Sequence, residues 1–263
     1  MPDLNEIYSF LWTVHGEEFA TLDRSLHPRS WEYVFELAAG ASIKGDSIVA
    51  DLGCGRGHHS FELGSRFGCR VIGMDAVFPQ IEAVMRERGG RILFVTGSIE
   101  NIPIRDASVD FVWCRDMLVH VGDVSRALCE SSRILRRGGR MLVYTTFETD
   151  LMEPREAARI YEPLAIHPLR RDPLERGFDA AGLDIAHREE IGSELIEFYE
   201  ERDGRASREL MRIARMRHIR DQLVEQWGAQ QYETVLALYH WMIYLLLGKL
   251  SAAYYVLERR SEL

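Results

Sequence analysis

The chain has 263 residues, 41 acidic against 32 basic side chains, and a formal net charge of -9. At about 100–200 residues per domain this is one large domain or one domain with a sizeable appendage, long enough to bury a core without disulfides or metals. A hydrophobic share of 46% and a charged share of 28% exclude collagen, coiled coil and disorder, and the acidic balance weighs against a nucleic-acid binder.

In chain order, Leu4, Ile7, Tyr8, Leu11 and Trp12 recur at helical spacing, and a second helix over Trp31–Ala39 follows Pro28 and stops before Gly40. The segment before them has Asp3 and no basic region, so it does not read as a signal peptide. From Asp46 the pattern changes. The apolar runs SIVADL, RVIGMD, RILFVTG, VDFVWC and RMLVYTTF predict strands. They alternate with the helical HSFELGSRF, VFPQIEAVMRER and Val124–Leu135, with Gly138-Gly139 at the last helix-to-strand turn. Strands separated by helices mean βαβ units and a doubly wound α/β sheet.

After Phe147 two short helices over 150–182 are divided by His167-Pro168, and LDIAHREEI offers another strand. Helical stretches at about 194–226 and 230–248 follow, and AAYYVLER closes the chain as a strand. The longest apolar run, Val235–Leu247, is 13 residues with His240 inside it. A membrane span needs about 20, so the run predicts a core helix, and 232–247 is a candidate homodimer surface. Cys54, Cys69, Cys114 and Cys129 form no CxxC pair and have no His at zinc-ligand spacing. No metal site is expected, and a reducing cytoplasm is the expected compartment.

The strongest chemical signal is Val49-Ala50-Asp51-Leu52-Gly53-Cys54-Gly55-Arg56-Gly57, where an apolar strand gives way to a helix. Glycines there let the backbone turn tightly and approach a ligand, while the helix start offers free N–H groups. With 21 glycines in the chain, GxGxG preceded by an acidic residue arises by chance about 0.02 times. Asp75 ends the next strand and can accept both hydroxyls of a ribose. That pair suits NAD as well, but the dinucleotide fingerprint is GxGxxG and this loop reads GxGxG.

These motifs resemble the class I S-adenosylmethionine-dependent methyltransferases, in the small-molecule branch. Over residues 46–147, VADLGCGRG is similar to that family's first motif and VIGMDAV to its acidic second. GSIENIPI is similar to the adenine-binding segment, VDFVWCRDMLVHVGD to the strand facing the methyl group, and RILRRGGRMLVYT to the closing helix–strand unit. The resemblance implies a seven-stranded, mostly parallel Rossmann-like sheet with an antiparallel last strand. It also implies S-adenosylmethionine as cofactor and S-adenosylhomocysteine as product. Asp51 precedes the loop, and Gly53, Cys54, Gly55 and Gly57 would pass around the methionine part. Asp75 would hold the ribose with Ala76 beside it, and Ser98 and Ile99 would flank the adenine. Where the family often has Asp this chain has Ser98, so the adenine amine would bond to Ser98 or water. Cys114 and Arg115 would line the amino-acid end and the methyl path.

Methyl transfer from a sulfonium is an in-line displacement with a good, neutral leaving group, so a base is needed only if the acceptor must lose a proton. Candidates are His120 after the fourth strand, Tyr144 (or Thr145) at the end of the fifth, and His15 and Tyr8 on the N-terminal helix, which in relatives forms a lid. His58 and His59 follow the glycine loop, and one of them reads as a contact to the cofactor carboxylate. The chain thus divides into a helical lid over 1–45, a cofactor-binding core over 46–147, and an acceptor-binding insertion with the last strands over 148–263.

An acidic run from Glu189 to Asp203 abuts Arg205, Arg208, Arg212, Arg215, Arg217 and Arg220. These read as solvated helix faces, or as one run turned inward on an acceptor. The expected function is methylation of a small, largely apolar metabolite at C, N or O, as in secondary metabolism, with no nucleic-acid partner and no membrane span. The rivals are a methyltransferase of RNA, DNA or protein and a non-enzymatic cofactor-binding regulatory subunit.

Overall fold

The computed structural model describes Asp3 and residues 22–85 and 92–261. The helix expected over Leu4–Trp12, with Tyr8 and His15, lies outside the described residues. In chain order the elements are α1 (Tyr33–Gly40), β1 (Ile48–Leu52), α2 (His58–Phe67), β2 (Arg70–Asp75), α3 (Phe78–Met85), β3 (Ile92–Thr96) and β4 (Val109–Arg115). A 3₁₀ turn at Leu118–His120 leads to α4 (Val124–Ile134), β5 (Leu135–Glu148), α5 (Pro154–Tyr161), α6 (Arg171–Ala180) and β6 (Leu183–Gly192). Then come α7 (Glu194–Asp203), α8 (Arg205–His218), α9 (Arg220–Trp227), α10 (Ala229–Leu246) and β7 (Leu250–Arg259).

The strands form one seven-stranded sheet in the order β3-β2-β1-β4-β5-β7-β6. β1 to β5 pair in parallel, and β7 runs antiparallel between β5 and β6. The apolar strands are what a sheet covered on both faces needs: Val49, Ala50, Leu52, Val112, Trp113, Leu142 and Val143 have no exposed surface. Trp113 anchors this core, stacking on Phe35 of α1 at 5.0 Å and meeting His59 of α2 edge-on at 5.4 Å.

Local chemistry fixes the helix starts. Asp123 accepts the Arg126 N–H at the head of α4, and Glu153 with Glu156 forms a capping box before Pro154 opens α5. Two expected boundaries move. The stretch expected as one helix over 194–226 is three, because Gly204 takes a left-handed φ of 65° and ends α7 while the chain breaks again at Ile219. Gly138-Gly139, expected as a turn before a strand at Arg140, lies inside β5, which begins at Leu135 and slips register against β4 between Val109 and Phe111. Of the described helices none is long and apolar enough to cross a membrane. Helix α10 instead buries eight residues, from Tyr232 to Leu245.

Candidate active site

Strand order reverses between β1 and β4, and open α/β sheets take ligands beyond the carboxyl ends of their strands at such a point. A cleft of about 600 Å³ lies there, lined by Gly53 after β1, Asp75, Ala76 and Val77 after β2, Gly97 to Glu100 after β3, and Asp116, Met117 and His120 after β4. Its size suits a cofactor.

The glycine loop is built into this edge. Gly53 and Cys54 donate their N–H groups to the Met74 carbonyl at 2.8 and 3.0 Å, and Gly57 N–H closes a turn on the Cys54 carbonyl at 2.8 Å. Gly53, Gly55 and Gly57 all have positive φ, at 78°, 53° and 76°. The three differ in what a side chain would meet. A Cβ on Gly53 would lie 2.5 Å from Met117 Cγ and one on Gly57 2.8 Å from Phe94 Cζ, whereas a Cβ on Gly55 meets nothing within 4 Å. The loop therefore packs tightly at its ends and leaves open space at its middle.

Asp75 ties the loop to β2: Oδ2 accepts from Gly55 N–H and Oδ1 from Val77 N–H, each at 2.8 Å. An ionised carboxylate has about four acceptor positions, so each oxygen keeps a lone pair for a ribose hydroxyl. Ser98 Oγ accepts from Glu100 N–H at 3.1 Å and keeps its own proton to donate.

Asp51 sits beneath the loop, 2% exposed, with Oδ2 accepting from Ser60 Oγ at 2.6 Å. Gly73, opposite it on β2, leaves the room, since a Cβ there would lie 2.9 Å from Ser60 Oγ. Burial pushes the Asp51 carboxyl up to about 7, against the Ser60 hydrogen bond. His59 is half-buried against Trp113, whose Nε1–H donates to His59 Nδ1 at 3.3 Å; desolvation, then the Arg115 charge, lowers it to about 4. Burial also raises Cys114 to about 12 and lifts Cys54 further, so both stay thiols. Neither suits a thiolate nucleophile.

Of the residues singled out from sequence, Gly53, Asp75, Ala76, Ser98, Ile99 and His120 line this one cleft. Gly55 and Gly57 belong to the loop above it. Asp51, Cys54 and Cys114 are buried beneath it, and Arg115 stacks on Tyr144, its guanidinium 5.4 Å from the ring centroid. Tyr144 and Thr145 are buried in β5. His120 Nδ1 lies 3.3 Å from the Ala165 carbonyl. Sequence reading missed Asp116, Met117 and Glu100 in the lining. All three lie inside the segments GSIENIPI and VDFVWCRDMLVHVGD without having been singled out there.

A family profile described as "Methyltransferase domain" matches residues 50–143. The glycine/sarcosine/dimethylglycine N-methyltransferase of Actinopolyspora halophila is 27% identical over 64% of this chain and 31% of its own length. The geranyl diphosphate 2-C-methyltransferase of Saccharopolyspora erythraea is 31% identical over 53% of this chain and 52% of its own. The chain thus spans a third to a half of these relatives. The solved structure of phosphoethanolamine N-methyltransferase 2 from Haemonchus contortus, in complex with S-adenosylhomocysteine, superposes with a TM-score of 0.69 at 15% identity, covering 97% of this chain and 57% of that one. That last likeness is one of fold. The sheet order and the cleft agree with that match: residues 50–143 are similar to a methyltransferase domain.

Proposed function

We propose that the chain transfers a methyl group from S-adenosylmethionine to a small-molecule acceptor seated beyond the ends of β4 and β5. The observation that supports it is the cleft at the strand-order reversal, where the Asp75 carboxylate, with free lone pairs, and Gly53 of the glycine loop line one space. Gly53 to Gly57 would border the methionine part, Asp75 would accept from the ribose hydroxyls, and Ser98 with Ile99 would flank the adenine. The bound cofactor supplies an electrophilic methyl group on a cationic sulfur.

The chain's own part is then to align the acceptor and exclude water. His120 brings an imidazole into the cleft, beside the carboxylates of Glu100 and Asp116. Its Nδ1–H is assigned as donor to the Ala165 carbonyl, which leaves Nε2 as the acceptor. Tyr144 does not fit that role, because burial holds its hydroxyl well above the ordinary tyrosine range. We read residues 1–45 as the lid and 148–263 as the acceptor-binding part, with α5 to α10 as walls. Free thiols, including an exposed Cys129, support action in a reducing cytoplasm. A homodimer through α10 would rest on its exposed Leu238.

Calorimetry with S-adenosylhomocysteine and NAD, followed by transfer of labelled methyl from S-adenosylmethionine into metabolite extracts, tests this reading. Binding of S-adenosylhomocysteine but not NAD, with label transferred, is the expected outcome. Preference for NAD, or binding without transfer to any extract, would overturn it, the latter in favour of a regulatory subunit.

A further inference from the structure

The sheet register sets four side chains in a row. Arg115 of β4 pairs with Tyr144 of β5, Tyr144 with Tyr254 of β7, and Tyr254 with Glu189 of β6. Residues paired across a sheet project from the same face. The row reads arginine, tyrosine, tyrosine, glutamate, and it crosses the carboxyl ends of β4 and β5, where an acceptor must sit.

Its two ends differ. At one end Glu189 is fully engaged: Arg29 pairs with it and Tyr33 Oη donates to it, while Arg29 also reaches Glu194 at 2.7 Å. At the other end Arg115 is half-buried and, among the described residues, has no carboxylate or carbonyl partner; its contact is the Tyr144 ring. A half-buried guanidinium without an ion pair is uncommon, since its five donors are costly to leave unmade; its charge reaches the buried Asp51, but the two form no salt bridge.

The hydroxyls between the two ends are also free. Tyr144 and Tyr254 are 3% and 2% exposed, with ring centroids 5.1 Å apart, and neither hydroxyl has a hydrogen-bond partner among the described residues. The sealed, unpartnered side-chain oxygens of the described residues are Thr145 Oγ1, Thr146 Oγ1 and Glu209 Oε2, so the two tyrosine oxygens keep access to solvent. Burial keeps both protonated, Tyr254 rising to about 12. At neutral pH they are donors.

We propose that Arg115, with the hydroxyls of Tyr144 and Tyr254, receives an oxyanion of the methyl acceptor, a carboxylate or a phosphate. The trio offers donors and one positive charge and contains no carboxylate, which suits the fork geometry of a guanidinium on an oxyanion and disfavours an ammonium group. It belongs to the acceptor and not to the cofactor's carboxylate by its place. The cofactor cleft is built from the ends of β1, β2 and β3 and the turn after β4. Tyr254 stands two strands beyond β4 on the far side, about 10 Å at the usual strand spacing. A turn at Asp116, with φ of 56°, separates the two regions: Asp116 lines the cleft and Arg115 lies on Tyr144. The inference rests on the methyltransferase reading and adds a substrate class to it.

The test uses full-length protein saturated with S-adenosylhomocysteine and titrated with inorganic phosphate or choline chloride at matched ionic strength. Phosphate should give a saturable rise in melting temperature and choline none. Arg115→Met should weaken phosphate binding about tenfold or more, and Tyr254→Phe by a smaller factor, with S-adenosylhomocysteine affinity in both within about threefold of the parent. If Arg115→Met does not fold, Arg115→Lys and Tyr254→Phe carry the comparison, each expected to weaken phosphate binding. Any of four results overturns the proposal: no phosphate effect in the parent, an equal effect in the variants, stabilisation by choline instead, or a tenfold loss of S-adenosylhomocysteine affinity on changing Arg115. Failure of the parent to bind S-adenosylhomocysteine at all would refute the underlying reading instead.

Discussion

Asp51→Asn should change how stability depends on pH, in a direction fixed by the site. The Asp51 carboxyl is buried beneath the glycine loop, and burial moves it from 3.8 to about 7. Between those values the native chain holds a proton that the unfolded chain has released, so stability falls as pH rises through the window. At about 1.4 kcal/mol per pH unit, the loss between pH 5 and pH 8 comes to about 2.6 kcal/mol when both titrations are included. His59 acts in the opposite sense. Burial lowers it to about 4 from 6.5, so across that window the unfolded chain binds the extra proton and stability rises with pH. The two slopes largely cancel in the parent chain below about pH 6.5. The amide introduced by Asp51→Asn can still accept from Ser60 and carries no titration, so the variant should gain stability from pH 5 to 6.5. Its lead over the parent should grow by about 2–3 kcal/mol between pH 5 and 8. Urea unfolding followed by tryptophan fluorescence at pH 5, 6, 7 and 8, with matching m values, measures the gap. A gap constant to within about 0.5 kcal/mol would show that Asp51 is already ionised at pH 5 in the folded chain and that the burial argument is wrong.

The glycine loop separates folding from binding. Gly55→Ala meets open space at a φ of 53° and should cost only about 1 kcal/mol of stability, yet calorimetry should find S-adenosylhomocysteine binding weakened about tenfold or more. Gly57→Ala, with Phe94 at 2.8 Å, should cost about 2–4 kcal/mol, and equal stability of the two variants in thermal melts would refute the distinction. Asp75→Asn replaces one acceptor oxygen by a donor facing a backbone N–H and should reduce S-adenosylhomocysteine affinity about 10- to 100-fold; an affinity within twofold would remove Asp75 from the ribose site. Arg29→Ala breaks the pairs to Glu189 and Glu194, whose side chains are about one-third exposed, and should cost about 1–2 kcal/mol by chemical unfolding. No measurable change would make those pairs ornamental.

The core was legible because its signals are local. A strand covered on both faces must be apolar throughout, and β2 runs from Arg70 to Asp75 as its apolar run predicts. The edge of the cleft was legible for a related reason, since glycine loop and acidic residue each sit at the end of a strand. The helices after β6 were harder to read. Leu210 looks like part of an apolar stripe in sequence but is 52% exposed, while Glu209 beside it is 7% exposed. The buried face runs through Ala206, Glu209, Ile213 and Met216, so Ile213 and Met216 face inward as their spacing suggests while Leu210 does not, and neighbouring helices set that choice. The acidic run also resolved case by case: Glu189 and Glu194 bind Arg29, Glu190 binds Arg171, and Glu200 accepts from Ser207. The arginines from Arg208 to Arg220 face solvent.

The arginine–tyrosine row shows where sequence reading has to stop. Arg115 and Tyr144 stand on strands whose pairing follows chain order, but Tyr254 enters between them and Glu189 because β7 inserts between β5 and β6. No spacing in the sequence relates residue 254 to residue 144 or residue 189. Only the register does, and register responds to the whole sheet: a slip of one residue in β7 would turn Tyr254 to the other face and bring Tyr255 in its place. Tyr255 instead packs on Phe178, with its hydroxyl donating to Glu175 at 2.9 Å. The adjacent tyrosines are thus told apart by what surrounds them, one bonded to a carboxylate and one whose hydroxyl, like the neighbouring guanidinium, has no hydrogen-bond partner among the described residues. In this fold the place of the cleft follows from strand ends, which local sequence marks. The arginine–tyrosine row follows from cross-strand neighbours, which it does not.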